Sequence, residues 1–321
     1  MSNRLIVQAA PHIHSAENTR RIMAMVLLAL TPTAAASIWL FGPRALLLIV
    51  FCVGLCVGFE YLACRVMKRP NPTGDLSAAV TGLLLALNLP VSLPLGLAAV
   101  GCFFAIVIVK QLFGGLGQNF ANPAITARVM MLAAFAGPMT DWTLPRQMQA
   151  LDAVSTATPL ALLSEEYAGT ALPGYGQLLM GLHGGSMGEV CIVALLLGGC
   201  FLMLMGVIRP VIPLTYLATV ALFSLALGQD PIYHLLSGGL VLGAFFMATD
   251  YSTCPITDKG KFIFALGCGV LTVAIRVFGS YPEGVSFSIL IMNLITPLLD
   301  RYFVTHPFGG RKEEAQKGGA A

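Results

Sequence analysis

The chain has 321 residues, 57% of them apolar and only 10% charged, with a formal net charge of +3. An average soluble domain is roughly a quarter charged, so this composition excludes a water-soluble globule and predicts an all-α integral membrane protein. The charge is small and unevenly spread, which bears on orientation in the bilayer and gives no footing for nucleic acid.

Hydropathy predicts about ten transmembrane helices, taken here in chain order. The first, 22–41, follows Arg20 and Arg21; no small-residue cleavage motif comes after it, so it reads as an uncleaved first helix. Next come 45–63, 75–89, 95–112 and 123–137, each able to cover much of a core roughly 30 Å thick once tilt and flanks are allowed. The runs at 75–89 and 123–137 are short and bounded by Pro or Gly, as expected of broken or re-entrant helices that line a protein-buried cavity. A polar insert over 138–187 precedes five further runs at 188–208, 211–228, 231–249, 261–279 and 285–303. The segments Gly117–Ala124 and Thr249–Ile256 each end near a Pro before or at a span and occupy equivalent places in the two halves. They suggest two five-helix inverted repeats, over 1–137 and 188–303, separated by the insert 138–187 and followed by a polar tail, 304–321, that lacks periodicity and is expected to be disordered.

Basic residues resist translocation. With the N-terminus inside, all of them except Arg44, Arg128, Arg146 and Arg276 fall on the cytoplasmic side. Both termini are therefore expected in the cytoplasm and the 138–187 insert outside. Eight cysteines without a C-x-x-C pair read as small apolar residues and supply no autonomous metal site. Gly54 and Gly58 have the spacing that lets helices approach closely. Glu60 is expected to form a near-interface ion pair with the basic cluster Arg65–Arg69. Arg128 and Arg276, inside predicted spans, are expected to meet carbonyls or to snorkel. None of the five histidines has a ligand-spaced partner, so none is given a catalytic role.

The most informative segment is Asp152-Ala153-Val154-Ser155-Thr156-Ala157-Thr158 in the insert. On composition alone it reads as a capped turn, because Asp, Ser and Thr bond locally to backbone groups. The D-x-x-S-x-A-T pattern met by Asp152, Ser155, Ala157 and Thr158 also resembles the acceptor site of the D subunits of Rnf (Rsx) complexes, close relatives of the B subunit of the sodium-pumping NADH:quinone reductase. The resemblance extends to Ala10–Ser15, to Gly114–Ala124 and to the Thr249-Asp250 corner. Thr156 stands where the family commonly has Gly, and the chain is short for the quinone-reductase subunit, which favours the Rnf member.

The resemblance implies that Thr158 carries FMN through a phosphoester made by a flavin transferase, with Asp152, Ser155 and Ala157 completing the acceptor site. It further implies a second flavin, non-covalent riboflavin, beside Asn119, Asn122 and Asp250 on the cytoplasmic side. The implied role is a bacterial inner-membrane electron-transfer component of an ion-translocating ferredoxin:NAD oxidoreductase, coupled to Na+ or H+. Its implied partners are the A, B, C, E and G subunits, above all the external FMN-bearing G subunit. No Rossmann fingerprint or cluster-binding cysteine set is present, so NAD and iron-sulfur clusters are assigned to those partners. The competing expectation is a solute channel or secondary transporter built from the same inverted repeats, in which the insert is only a lid. A third is a purely structural anchor within a complex.

Overall fold

The computed structural model describes residues 18–69, 73–145, 157–163, 172–279 and 283–304, and every regular element among them is helical. Asp152, Ser155, the Ala10–Ser15 stretch and the tail after Val304 lie outside the described residues.

Helix α1 (Thr19–Phe41) starts where the Asn18 side chain accepts from Arg21 N at 2.8 Å, an ordinary N-cap. It stops at Gly42, whose φ of 75° is open to glycine and costly for other residues. Pro43 follows and opens α2 (Pro43–Val66), since proline at the first helical position loses no bond that a helix would have made. The next helix, α3 (Ser77–Leu87), is buried at every position. At about 1.5 Å per residue it is roughly 16 Å long, too short to cross a bilayer alone. It packs against α1, α2, α4 (Leu95–Phe103) and α5 (Pro123–Ala134).

Helix α4 runs on as a π-helix over Phe104–Gln111. Helix α5 breaks at Phe135, and the short α6 (Ala136–Thr140) follows. In the second half come α7 (Tyr175–Met180), α8 (Ile192–Leu204), α9 (Val211–Ala226), α10 (Pro231–Leu236) and α11 (Leu240–Leu242). A π-helix over Gly243–Met247 continues α11, and α12 (Asp258–Phe278) and α13 (Val285–Tyr302) close the described chain. Tyr175 Oη donates to Asp230 Oδ2 at 2.5 Å and so ties α7 to the cap of α10.

Among the described residues, three helices, α1, α2 and α12, are long and apolar enough to cross a membrane, and five shorter apolar helices accompany them. Their outer faces carry large apolar side chains such as Trp39, Leu204 and Leu222, exposed by 68%, 86% and 68%. Apolar patches of this extent suit a lipid surround and not water. The chain is thus an all-helical membrane protein.

Several expectations change. The 231–249 run is not one helix: it breaks at Ser237–Gly239, with Gly238 at φ 68°, and Arg276 takes up the exposed carbonyls. Gly54 and Gly58 face outward with nothing within 4 Å of an added Cβ, so they make no close helix contact within the chain. Gly82 makes that contact, since a Cβ there would sit 2.9 Å from Cys52 O on α2. Glu60 does not join the Arg65–Arg69 cluster. It is fully buried and pairs with Lys110 at 2.7 Å, a lysine itself only 2% exposed.

Candidate functional site

Two cavities lie toward opposite ends of α3. The first is formed where the corner preceding α5 meets the corner that follows the Gly243–Met247 π-helix. Asn122 caps α5, its Oδ1 accepting from Ala124 N and Ile125 N at 3.0 and 3.3 Å while Pro123 occupies the first helical position. Its Nδ2 donates to Met247 O at 3.3 Å. Across the gap, Asp250 Oδ2 accepts from Ser252 Oγ and Thr253 Oγ1 at 3.1 and 3.2 Å, closing a local turn. Asn119 Nδ2 reaches Ser252 Oγ at 3.2 Å and joins the two corners. With its amide turned so that both ends find partners, Asn293 of α13 accepts from Asn122 N at 3.1 Å and donates to Thr253 O at 3.3 Å. The resulting corner cavity holds about 780 Å³ of empty space, counting the part open to the outside, with Asn119, Asn122, Asp250, Lys110 and Ser77 on its polar side and Phe245, Phe246 and Val26 on its apolar side. The three residues singled out in the sequence therefore cap local structure and also line one cavity.

The second cavity contains Thr158. Residues before 157 and over 164–171 are outside the described set, so of the acceptor pattern only Ala157 and Thr158 are placed. Thr158 Oγ1 accepts from Ala161 N at 3.2 Å and caps the short 3-10 turn Ala161–Leu163, the bland role expected of a hydroxyl there. The same residue lines a cavity of about 570 Å³ of empty space, again counting the open part, with Leu132, Met139, Trp142, Pro159 and Leu160 as its apolar wall.

Its polar wall is a buried charge cluster. Arg128, 4% exposed, donates through Nη1 to Asn88 Oδ1 at 2.6 Å and through Nη2 to Glu283 Oε2. Its Nη2 also lies 4.0 Å from Glu189 Oε2. Glu189 Oε1 accepts from Ser186 N at 2.7 Å, and Glu283 Oε1 accepts from Gly239 N at 2.9 Å. Gly239 sits inside this cluster, where a Cβ would come within 2.9 Å of Glu283 Oε1 and 3.2 Å of Glu189 Oε2. Arg276 flanks it and donates to His234 O and Ser237 O at 2.7 and 3.0 Å. Arg276 thus meets carbonyls, as expected; Arg128 does not, and pairs with side chains because two carboxylates converge on it. Two polar atoms on the cavity's lining residues have no hydrogen-bond partner, Glu189 Oε2 and His183 Nε2.

Sequence reasoning passes over His183, Glu189, Glu283 and Trp142. A carboxylate next to the start of an apolar run, as Glu189 and Glu283 both are, costs several kcal/mol unless paired, and that signal is present in the sequence. No comparable signal marks His183.

Over residues 6–309 the chain matches the model of the NQR2, RnfD, RnfE family. It is 47% identical over 310 residues to the D subunit of the Na(+)-translocating ferredoxin:NAD(+) oxidoreductase complex of Acetobacterium woodii, with 96% of each chain covered. It is 40% identical over 324 residues to the D subunit of the proton-translocating ferredoxin:NAD(+) oxidoreductase complex of Clostridium ljungdahlii, with 97% of this chain and 98% of the relative covered. It is also 41% identical to the D subunit of the ion-translocating oxidoreductase complex of Stutzerimonas stutzeri, with 90% and 92% covered. With a match that spans nearly its full length, the chain belongs to the NQR2, RnfD, RnfE family.

Proposed function

We propose that the chain is the electron-relaying D subunit of an ion-translocating ferredoxin:NAD oxidoreductase in the bacterial inner membrane, carrying FMN esterified to Thr158. The observation that carries this reading is the setting of Thr158. The last residue of the D-x-x-S-x-A-T run lines a cavity with an indole on one wall and a buried guanidinium and two carboxylates on another. Ligand pockets are mostly apolar with a few convergent polar groups, and in that chemical respect these residues fit a flavin. When bound, such a cofactor supplies one- and two-electron transfer. The chain's part is to hold it by a bond that leaves the ring free, to keep water off one face with Trp142 and Met139, and to set the local field with Arg128 and its carboxylates. The corner cavity, with Asn119, Asn122 and Asp250, is the proposed seat of a second, non-covalent flavin, riboflavin.

In this reading ten spans form two inverted repeats, both termini are cytoplasmic, and the insert carrying Thr158 faces outward. Electrons arrive there from the FMN-bearing G subunit, and the A, B, C and E subunits complete the complex. The names of the two ferredoxin:NAD(+) relatives carry different ions, Na+ and protons, and an oxygen-lined path for either draws on the same residue types. The proposal is therefore one of cation coupling. The test is co-expression with a flavin transferase followed by ultraviolet illumination of the denatured protein on a gel. The wild-type chain should give a fluorescent band and Thr158→Ala none. A band that persists in the alanine variant removes the attachment site. Its absence from the wild type favours an inverted-repeat transporter without a redox role.

A further inference from the structure

Glu189 and Glu283 are the acidic side chains on the wall of the Thr158 cavity, and they reach it from distant parts of the chain, just before α8 and just before α13. Both carboxyls converge over Gly239, where an added Cβ would lie 2.9 Å from Glu283 Oε1 and 3.2 Å from Glu189 Oε2. They face each other within hydrogen-bonding reach. An ionised carboxylate only accepts hydrogen bonds, so two of them in this contact repel, and burial strengthens the repulsion.

The hydrogen bonds of the pair locate a proton. Three of the four oxygens accept from the protein: Glu189 Oε1 from Ser186 N at 2.7 Å, Glu283 Oε1 from Gly239 N at 2.9 Å, and Glu283 Oε2 from Arg128 Nη2. The fourth, Glu189 Oε2, is buried and accepts from none; Arg128 Nη2 stands 4.0 Å away, too far for a hydrogen bond. The other charged and titratable groups around the pair are committed elsewhere. Arg128 on α5 also bonds Asn88, Arg276 on α12 bonds the carbonyls of His234 and Ser237, and His183 Nδ1 meets Gly184 O. A buried oxygen that accepts nothing and faces a second carboxyl is the place for a proton, because protonation turns it into a donor and removes the like charge in one step.

We propose that Glu189 and Glu283 share one proton, held on Glu189 Oε2 toward Glu283, and that this pair is the proton donor of the Thr158 cavity. The donor role rests on the flavin reading of Thr158: a reduction there that takes two electrons from the partner donor and one proton draws that proton from the pair. The two carboxylates left behind are balanced by Arg128 and Arg276 until a proton from water restores the acid.

The experiment is infrared spectroscopy of the full-length chain, purified in detergent after maturation with a flavin transferase, at neutral pH in H2O and in D2O. Wild type is compared with Glu189→Gln and Glu283→Gln, which keep the side-chain shape and remove one carboxyl each. The wild type should show the carbonyl stretch of a protonated carboxyl, displaced in D2O, that both variants lack, since either glutamate left alone beside Arg128 ionises. Dithionite should bleach the same stretch in the wild type. A signal common to all three chains belongs to another acid and overturns the proposal. One that Glu283→Gln retains marks an isolated buried acid and does the same, as does a wild type with no such signal, a result that needs no variant to fold. A signal that both variants lack but dithionite leaves unchanged, in a chain that gives the fluorescent gel band, overturns the donor role. A wild type without that gel band removes the Thr158 reading, and the three infrared spectra still decide whether the proton is shared.

Discussion

A lysine and a glutamate buried against each other must be read as a unit. Glu60 Oε1 accepts from Lys110 Nζ at 2.7 Å and from Gln111 Nε2 at 2.9 Å, while Lys110 also donates to Ser77 Oγ at 2.6 Å. Removing one member of a buried pair leaves the other charge without compensation, at a cost of about 3–5 kcal/mol, whereas replacing both by apolar residues of like volume is often close to neutral. Glu60→Ala should therefore lower the thermal unfolding midpoint of the detergent-solubilised chain sharply, and Glu60→Met with Lys110→Met should recover most of the loss. A midpoint unchanged by Glu60→Ala would mean that the pair adds nothing to stability. The pair also marks the limit of what the sequence can disclose about single residues. Neighbours one turn along a helix are legible from spacing, and spacing alone points Glu60 at Arg65–Arg69. Lys110 lies on another element, and only the packing of α2 against the Phe104–Gln111 π-helix brings it in. Thr158 is legible because its chemistry needs a run of specific neighbours. His183 is not, since only the packing of distant segments brings it to the wall of a cavity.

Helices in this chain are placed by where their backbones can touch. Gly198 on α8 is the closest approach: an added Cβ would lie 2.1 Å from Ala29 O on α1, and its neighbour Gly199 sits against the Phe245 ring. Gly198→Val should part the two helices, because the atom in the way is backbone and cannot swing aside. Overpacking of this kind costs about 1–3 kcal/mol, measurable as a lower unfolding midpoint. Gly58→Val on α2, with open space around the added atoms, should stay near the wild-type midpoint, and equal losses in the two variants would show that the effect is helix propensity and not contact. Continuous helices such as α1, α2 and α12 are legible because an apolar run of sufficient length is all that such a helix needs. Interruptions within apolar sequence are harder to see. The 231–249 run contains little polar material, but it breaks where Gly238 takes a positive φ and Arg276 bonds the carbonyls. Gly54 and Gly58 make no packing contact among the described residues of this chain for a related reason: in lipid both faces of a helix are apolar, so spacing does not tell the inward face from the outward one.

The two cavities are arranged about α3. Ser77 at its start lines the corner cavity, and Asn88 at its end holds Arg128 of the Thr158 cavity, so one helix about 16 Å long separates the two proposed cofactor seats. Side chains bridge the same interval: Asn88 Nδ2 lies 3.7 Å from Met247 Sδ, and Met247 O accepts from Asn122 Nδ2 at 3.3 Å. A chain built this way relays charge across the membrane only if the Thr158 end faces outward and the corner cavity faces the cytoplasm. The corner side is also the basic side: Arg69 donates to Gln111 O at 2.9 Å, Lys110 lines that cavity, and Lys and Arg are retained in the cytoplasm. The orientation can be checked with single cysteines at Ala168, within the insert, and at Ala315, within the tail, after Cys191 and Cys200, the two cysteines not buried, are replaced by alanine. In intact spheroplasts a membrane-impermeant maleimide should label Ala168→Cys at once and Ala315→Cys only after permeabilisation. The reverse order would put Thr158 on the cytoplasmic face, where an external electron donor has no access to it.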